Sequence, residues 1–378
     1  MQPYICSSCG NTYAPTALVW RCDCGSYLDV APGAGLTRND INRDEPSLWR
    51  YQKALHLAGS RPSVYFGEGL TPLVPGQWGG QEVLFKLDFL FPSGSFKDRG
   101  TALMINRLAE LGVKSVLEDS SGNGGASVAA YSAAAGIDCR IYVPAYTSEG
   151  KVVQTRTYGS EVVKVPGTRE DTSRAAEAAA EERFYASHNW HPLFIEGVKT
   201  VAYEIWEQLG YRAPDNVVAP IGFGSSVLGL YRGFKELLAA GQVERLPRIF
   251  ACQAANCAPI HSLFTTGNAH IEAQPTAAEG VACVKPIRLL EIMRALKESG
   301  GQTVALSEAA IAKGLQDLAA ARGLFVEPTS AVAPAGARAL LEAGVIRPGE
   351  VTVVLLTGSG LKATEKIAGL ASAGEEGR

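Results

Sequence analysis

From about Val113 onward, short runs of β-branched and aliphatic residues alternate with longer Ala-rich stretches of helical period. The apolar runs predict strands over 115–118, 140–143, 161–165, 216–221, 248–252, 303–306 and 351–356. The stretches between them predict helices over 123–135, 173–183, 200–209, 227–240, 308–321 and 330–343, with an earlier one over 101–111. Strands that are apolar throughout need cover on both faces, and a helix between successive strands supplies the crossover that parallel pairing demands. The expectation is an α/β protein with mostly parallel sheets. The N-terminal residues break the pattern. They are rich in Cys and in aromatic residues (Tyr4, Tyr13, Trp20, Tyr27), show little helical periodicity, and predict a small separate module over 1–35. The last residues, Ala-Ser-Ala-Gly-Glu-Glu-Gly-Arg, are expected to fray.

Composition narrows the function classes more than the fold. With 378 residues, 46% of them hydrophobic and 19% charged, the chain can build a large core divided between two or three units. Lys plus Arg number 35 against 38 Asp plus Glu, and the net charge of −3 gives no pull toward nucleic acid or an anionic membrane. A small polar substrate is the expected partner. No apolar stretch approaches the ~18 residues that span a bilayer, and Met-Gln-Pro-Tyr-Ile-Cys lacks the basic and apolar regions of a signal peptide. The expectation is a cytoplasmic protein.

Four of the eight Cys lie in apolar contexts, at 139, 252, 257 and 283, and read as reduced core thiols. The other four form Cys6-Ser-Ser-Cys9 and Cys22-Asp-Cys24, two knuckles at the ends of a short hairpin, each followed by a glycine (Gly10, Gly25) that lets the backbone turn around a metal. Four thiolates make a closed tetrahedral site, which is structural rather than catalytic, so Cys6, Cys9, Cys22 and Cys24 are predicted ligands of Zn2+. The alternative is an unmetallated hairpin of free thiols.

Three strand-to-helix junctions are dense in Gly and Ser: Ser120-Ser-Gly-Asn-Gly-Gly-Ala-Ser127, Gly222-Phe-Gly-Ser-Ser226 and Thr357-Gly-Ser-Gly360. In open α/β sheets, ligands sit at such carboxyl ends of strands. The second junction follows an apolar strand and opens a helix, so its backbone N–H groups can converge on a phosphate. A dinucleotide site would also need an acidic residue after the next strand, where this chain reads Phe250-Ala-Cys-Gln-Ala-Ala. A plain tight turn is the bland reading of such a loop.

Lys97 follows Pro92-Ser-Gly-Ser-Phe and precedes a helical run, a place where the helix dipole disfavours a cation. Taken alone it could be a solvated surface lysine. An amine of lowered basicity is also the nucleophile that an aldehyde requires, and a lysine, a phosphate cradle and two further polar loops together fit pyridoxal phosphate.

The segments Gly67-Glu-Gly-Leu-Thr-Pro-Leu73, Ser95-Phe-Lys-Asp-Arg-Gly100, Ser121-Gly-Asn-Gly-Gly125, Glu196-Gly-Val-Lys-Thr200, Glu327-Pro-Thr-Ser-Ala331 and Leu356-Thr-Gly-Ser-Gly-Leu-Lys362 occur in that order. From about residue 65 to about 366 the chain thereby resembles the fold-type II pyridoxal-phosphate enzymes, the tryptophan synthase β-like group, and within it the threonine synthase branch. The N-terminal ribbon is similar to an extension found on some members of that branch. The resemblance implies a two-domain α/β enzyme with mostly parallel sheets plus the small four-cysteine ribbon. In this scheme 36–111 and 201–378 form a large cofactor-binding domain and 112–200 a smaller substrate-side domain. It implies that Lys97 holds the cofactor as a Schiff base and later moves protons, and that Asn123 meets the cofactor's 3′-oxygen. Gly222, Phe223, Gly224, Ser225, Ser226 and Val227 would bind its phosphate, and Thr357 its pyridine nitrogen. The implied reaction is a lyase reaction of the threonine synthase type, with γ-elimination of phosphate from O-phosphohomoserine and addition of water at Cβ. A homodimer is common in the family.

The chain departs from the family's pattern in several places. Gly124 stands where Thr usually follows the Asn. His191-Pro-Leu-Phe194 replaces Asn-Pro-aromatic-Arg, Ser359 replaces His, and Gly-Phe-Gly-Ser-Ser replaces an Asn-rich phosphate loop. Phe194 removes a bidentate anion donor, whose part would fall to Lys199, Arg174 or His191. His191 reads equally as a substrate ligand or as a structural residue beside Trp190. Two other functions stay open. One is β-elimination or β-replacement on a hydroxy or phosphorylated amino acid, as in a threonine or serine dehydratase or a phosphoserine-type synthase. The other is a non-catalytic relative that serves as an interaction module.

Overall fold

One parallel and one mostly parallel sheet carry the fold, as the computed structural model shows over residues 1–57, 59 and 61–375. Contacts group the chain into two compact units, Met1–Gly69 with Lys97–Thr200 and Leu70–Phe96 with Val201–Arg378. Residues 36–69 and 97–111, expected beside 201–378, group instead with 112–200. The reason is packing: helix Lys97–Glu110 lies against helices Asn123–Ala135 and Pro192–Val198.

In the first unit the strand order is Glu161–Val165, Asp138–Pro144, Ser115–Glu118, Phe184–Tyr185, all parallel. Leu117, Tyr142, Ala176 and Tyr185 meet in a buried cluster on this sheet. The helix predicted over 173–183 runs instead over Arg169–Ala179. Its start is fixed by a capping box, in which Thr168 Oγ1 accepts the Asp171 N–H while the Asp171 carboxylate accepts the Thr168 N–H. The N-terminal ribbon sets Tyr4–Ile5 between Thr12–Tyr13 and Asp29–Val30, all antiparallel. It joins the unit through aromatic edges. The Trp20 ring meets Tyr185 at 4.9 Å and Trp190 at 5.5 Å, and Arg107 donates to the Pro15 carbonyl at 2.9 Å.

The second unit holds a six-stranded sheet ordered Thr303–Leu306, Arg248–Ala254, Asn216–Pro220, Thr352–Leu356, Gln81–Leu87, Leu73–Trp78. All neighbours are parallel except the last pair, an antiparallel hairpin that the strand pattern did not predict. Its turn is Gly79-Gly80, with φ of +56° and +79°, the left-handed pair that a two-residue hairpin loop requires. Phe85, Val218, Phe250, Val354 and Leu356 belong to the buried core of this sheet. Among the described residues, helices Glu149–Thr157, Pro192–Val198, Pro259–Thr266, Leu289–Ser299 and Thr364–Glu375 also lay outside the predicted set. The last of these takes in the first part of the tail expected to fray, and 376–378 lie outside the described residues. No helix among the described residues is long and apolar enough to cross a membrane.

Candidate active site

Lys97 is the first residue of helix Lys97–Glu110, so its side chain leaves the backbone at the electropositive helix end. It is half-buried, and its Nζ lies 5.6 Å from the centroid of the Phe194 ring. Two glycines make that approach possible. A Cβ on Gly100 would stand 2.6 Å from the Phe194 carbonyl oxygen, and one on Gly197 would stand 2.2 Å from the Arg99 carbonyl oxygen. Asp98 Oδ1 accepts from Ser127 Oγ at 2.6 Å, tying the lysine helix to helix Asn123–Ala135. That second helix begins at Asn123, which is half-buried like Lys97. The sequence-predicted pair Lys97 and Asn123 thus opens two helices that pack side by side in the first unit.

The strand Ser115–Glu118 runs into the Ser120–Ser127 loop through an acidic pair, Glu118-Asp119, which the sequence reading did not single out. The pair marks the carboxyl end of a strand, and that position was the available signal. Glu118 Oε1 and His188 Nδ1 are 2.6 Å apart, and Glu118 Oε2 also accepts the His188 N–H at 3.1 Å. Burial, then the charge of Asp119, pushes the Glu118 carboxyl well above its usual range. Burial, then the charges of Lys97 and Arg169, holds His188 well below its usual value. Asp119 is satisfied separately: its carboxylate accepts from Arg169 Nη1 at 2.7 Å, Ser173 Oγ at 2.6 Å and Tyr185 OH at 2.7 Å.

In the second unit, the Gly222–Val227 loop follows strand Asn216–Pro220 and opens helix Ser225–Ala239. Gly224 is the N-cap, at φ +102°, and provides no side-chain cap for the first-turn N–H groups. The loop leaves no room for side chains: a Cβ on Gly222 would meet the Gly280 carbonyl oxygen at 2.5 Å, and one on Gly224 would meet Ile292 Cδ1 at 2.5 Å. Ser226 Oγ is turned inward, donating to the Pro220 carbonyl at 2.8 Å, while Phe223 is half-buried and Ser225 and Val227 are buried. A helix start of this kind can take an anion. Thr357 follows strand Thr352–Leu356. Its N–H donates to Ser330 Oγ and its carbonyl accepts the Phe96 N–H, both at 2.9 Å. The Thr357 hydroxyl oxygen is buried and has no hydrogen-bond partner among the described residues; the same is true of Ser95 Oγ.

The candidate anion donors of the first unit are already engaged. Lys199 is buried and donates to Glu196 Oε2 at 2.5 Å, and Glu196 also meets His56 Nε2 at 3.3 Å. Arg174 is an exposed partner of Asp171. His191 is the N-cap of helix Pro192–Val198, where Nδ1 accepts the Leu193 N–H at 3.3 Å, and its ring lies edge-on to Tyr4 and Phe184. That is a structural position.

The four N-terminal Cys converge. Their Sγ atoms all lie within 4.8 Å of one another, with Cys6 and Cys24 3.6 Å apart and Cys9 and Cys22 3.5 Å apart. A tetrahedron of sulfurs about 2.3 Å from a central zinc has edges of about 3.8 Å, so this spacing can hold such an ion. Gly10 and Gly25, at φ +79° and +84°, turn the backbone back on Cys6 and Cys22, donating to their carbonyl oxygens at 2.9 and 2.8 Å. None of the eight cysteines is in a disulfide, and Cys139, Cys252, Cys257 and Cys283 are buried.

A family model described as pyridoxal-phosphate dependent enzyme matches residues 64–358. Threonine synthase of Methanocaldococcus jannaschii is 33% identical over 372 residues, covering 94% of this chain and 92% of that protein. Threonine synthase of Methanosarcina acetivorans is 32% identical over 371 residues, covering 94% and 91%. Among solved structures, a T.th. threonine deaminase matches with a TM-score of 0.64 at 26% identity, over 77% of this chain and 92% of that one. The processed form of threonine deaminase isoform 2 from Solanum lycopersicum shares the fold, with a TM-score of 0.71 at 23% identity over 91% and 93%.

Proposed function

Because the chain belongs to the fold-type II family of pyridoxal-phosphate dependent enzymes and is a lyase of that family, we propose that it is of the threonine synthase type. Its reaction is then release of phosphate from O-phosphohomoserine with addition of water at Cβ. The observation that carries this reading is the match to a threonine synthase along 94% of the chain. Two features support the cofactor assignment. A buried hydroxyl without a partner is costly, and the one on Thr357 is relieved by a ring nitrogen. The capless glycine turn at 222–227 offers a phosphate monoester its first-turn N–H groups and the positive end of a helix.

Bound pyridoxal phosphate supplies an electron sink that acidifies the substrate hydrogens next to it. The chain's own residues do the rest. Lys97 Nζ holds the cofactor and then moves protons at Cα and Cβ, with the Phe194 ring beside it excluding water. Asn123 hydrogen-bonds the 3′-oxygen, and Gly222, Phe223, Gly224, Ser225, Ser226 and Val227 cradle the phosphate. The Thr357 hydroxyl, being neutral, does not fix a proton on the ring nitrogen as a carboxylate would. Cys6, Cys9, Cys22 and Cys24 hold a structural Zn2+, and the free thiols suit a reducing cytoplasm.

Incubation of the purified protein with O-phosphohomoserine, and separately with L-threonine, tests the substrate. Phosphate release with threonine formation is the expected result. Formation of 2-oxobutyrate from threonine without phosphate release would instead assign β-elimination, the chemistry favoured by Phe194 standing at an anion donor's position and by the likeness to a threonine deaminase.

A further inference from the structure

Glu118 and His188 form a buried carboxyl–imidazole pair for which the proposed mechanism has no use. Both side chains are almost wholly shut from solvent, at 0% and 6% exposure, and they face each other at 2.6 Å. The pair sits beside the residues given the central roles. The His188 ring lies 5.8 Å from the Phe194 ring, edge-on, and Phe194 is the ring that Lys97 Nζ overlies. The imidazole also lies close to Gly124, the neighbour of Asn123, where a Cβ would stand 2.9 Å from Nδ1. Gly124 and Phe194, two positions at which this chain departs from the pattern it resembles, therefore bound the same imidazole.

The charged and titratable groups around the pair come from five elements. Asp119 follows Glu118 at the end of its own strand, Cys139 stands on the neighbouring strand Asp138–Pro144 and Tyr185 on the strand Phe184–Tyr185, Arg169 opens helix Arg169–Ala179, and Lys97 opens helix Lys97–Glu110. Arg169 and Tyr185 both donate to Asp119, which leaves Lys97 as the charge whose state changes during the proposed reaction.

We propose that Glu118 and His188 act as a proton-sharing countercharge to Lys97, giving up their shared proton more readily when Nζ is charged and holding it when Nζ is neutral. This rests on the reading of Lys97 as the cofactor-bearing residue. The proton count balances without a co-reactant. When Nζ is charged, Glu118 is a carboxylate that accepts from His188 Nδ1–H. When Nζ gives up its proton, His188 Nε2 takes that proton up while the Nδ1 proton passes to Glu118, so Glu118 becomes a carboxylic acid donating to Nδ1 and the imidazole remains neutral with its hydrogen on Nε2. One proton is lost and one gained within a site of low dielectric, where a change in net charge is costly and coupling between charges is strong. Glu118 and His188 are thus positioning residues that act through Lys97.

The test is a pH titration of the visible absorption band of the cofactor-loaded protein, whose midpoint reports the Lys97 nitrogen. Glu118→Gln removes the anion and is expected to lower the midpoint by about one pH unit. His188→Asn weakens the ionised form of Glu118 and should lower it by less. Gly124→Ala, which keeps both groups and only presses on the ring, covers the case in which the first two variants do not fold, and should also lower the midpoint. Midpoints unchanged from wild type in whichever of these variants fold would overturn the proposal while leaving the cofactor role of Lys97 intact. Absence of a visible band in the wild-type protein would overturn both.

Discussion

Lys86 Nζ donates to Glu204 Oε2 at 2.6 Å, and neither side chain is reached by solvent. The ammonium has two further acceptors, the Thr71 carbonyl at 2.7 Å and Gln208 Oε1 at 2.9 Å, so its three protons are all used. Glu204 in turn accepts the N–H of Leu70, a non-glycine residue at φ +44°. Glu204→Ala strands a buried cation and is expected to cost about 3–5 kcal/mol. A urea denaturation midpoint within error of wild type would refute this, and the paired Lys86→Met, Glu204→Leu change should recover much of the loss.

The Glu118–His188 pair also shapes stability against pH. Folding raises Glu118 above 4.5 and lowers His188 below 6.5. The raised Glu118 carboxyl keeps its proton where the unfolded chain has lost it, so its contribution to stability falls as pH rises from about 4.5; the lowered His188 stays neutral where the unfolded imidazole is charged, so its contribution falls as pH drops from about 6.5, and between those values the two oppose each other. Glu118→Gln removes the first contribution, so the variant should lose stability more steeply than wild type as pH drops from about 6.5. Denaturation curves at about pH 5, 6 and 8 for both proteins read this directly, and parallel profiles would contradict it.

Lys97→Ala should remove the visible band and lower kcat by about 10^3-fold or more, since one residue holds the cofactor and moves the protons. Far-ultraviolet circular dichroism should stay at the wild-type level, because Lys97 is only half-buried.

Gly222→Ala places a methyl group about where the Gly280 carbonyl oxygen stands, 2.5 Å from the new carbon. Cofactor affinity is expected to fall about tenfold or more, a loss of about 1.4 kcal/mol. Fluorescence titration of the cofactor-free protein measures it, and unchanged affinity would argue against this loop as the phosphate cradle.

Metal analysis in reducing buffer should give about one equivalent of zinc, lost in Cys9→Ser with Cys24→Ser. That variant should also change the tryptophan fluorescence, because Trp20 contacts Trp190. Less than half an equivalent in the wild-type protein would leave the cluster as plain thiols.

Much of this was legible in the chain because the relevant signals are local. The helix from Asn123 to Ala135 carries its start in a Gly-Asn-Gly-Gly turn and its stop in Gly136, at φ +66°, and the predicted span coincides with the structure. Strand Glu161–Val165 was equally plain. The ribbon was readable because four Cys and two glycines fix its turns by spacing alone. The hairpin Leu73–Leu87 was hidden because Pro75 and Gly76 interrupt its alternation, although Gly79-Gly80 marked its turn. Residues such as His188 cannot be found by pattern, since their partners lie far away in sequence: Glu118 is 70 residues distant. What makes His188 notable is burial and company, and both arise only on folding.

The aromatic edges of the ribbon reach further than its four thiols. Tyr4 borders His191, and His191 caps the short helix that presents Phe194 to Lys97. If zinc fills the four thiolates, a cell starved of the metal would lose support for one wall of the lysine's surroundings. The supply of a trace nutrient would then set how much of this enzyme can work, without any effector binding to it.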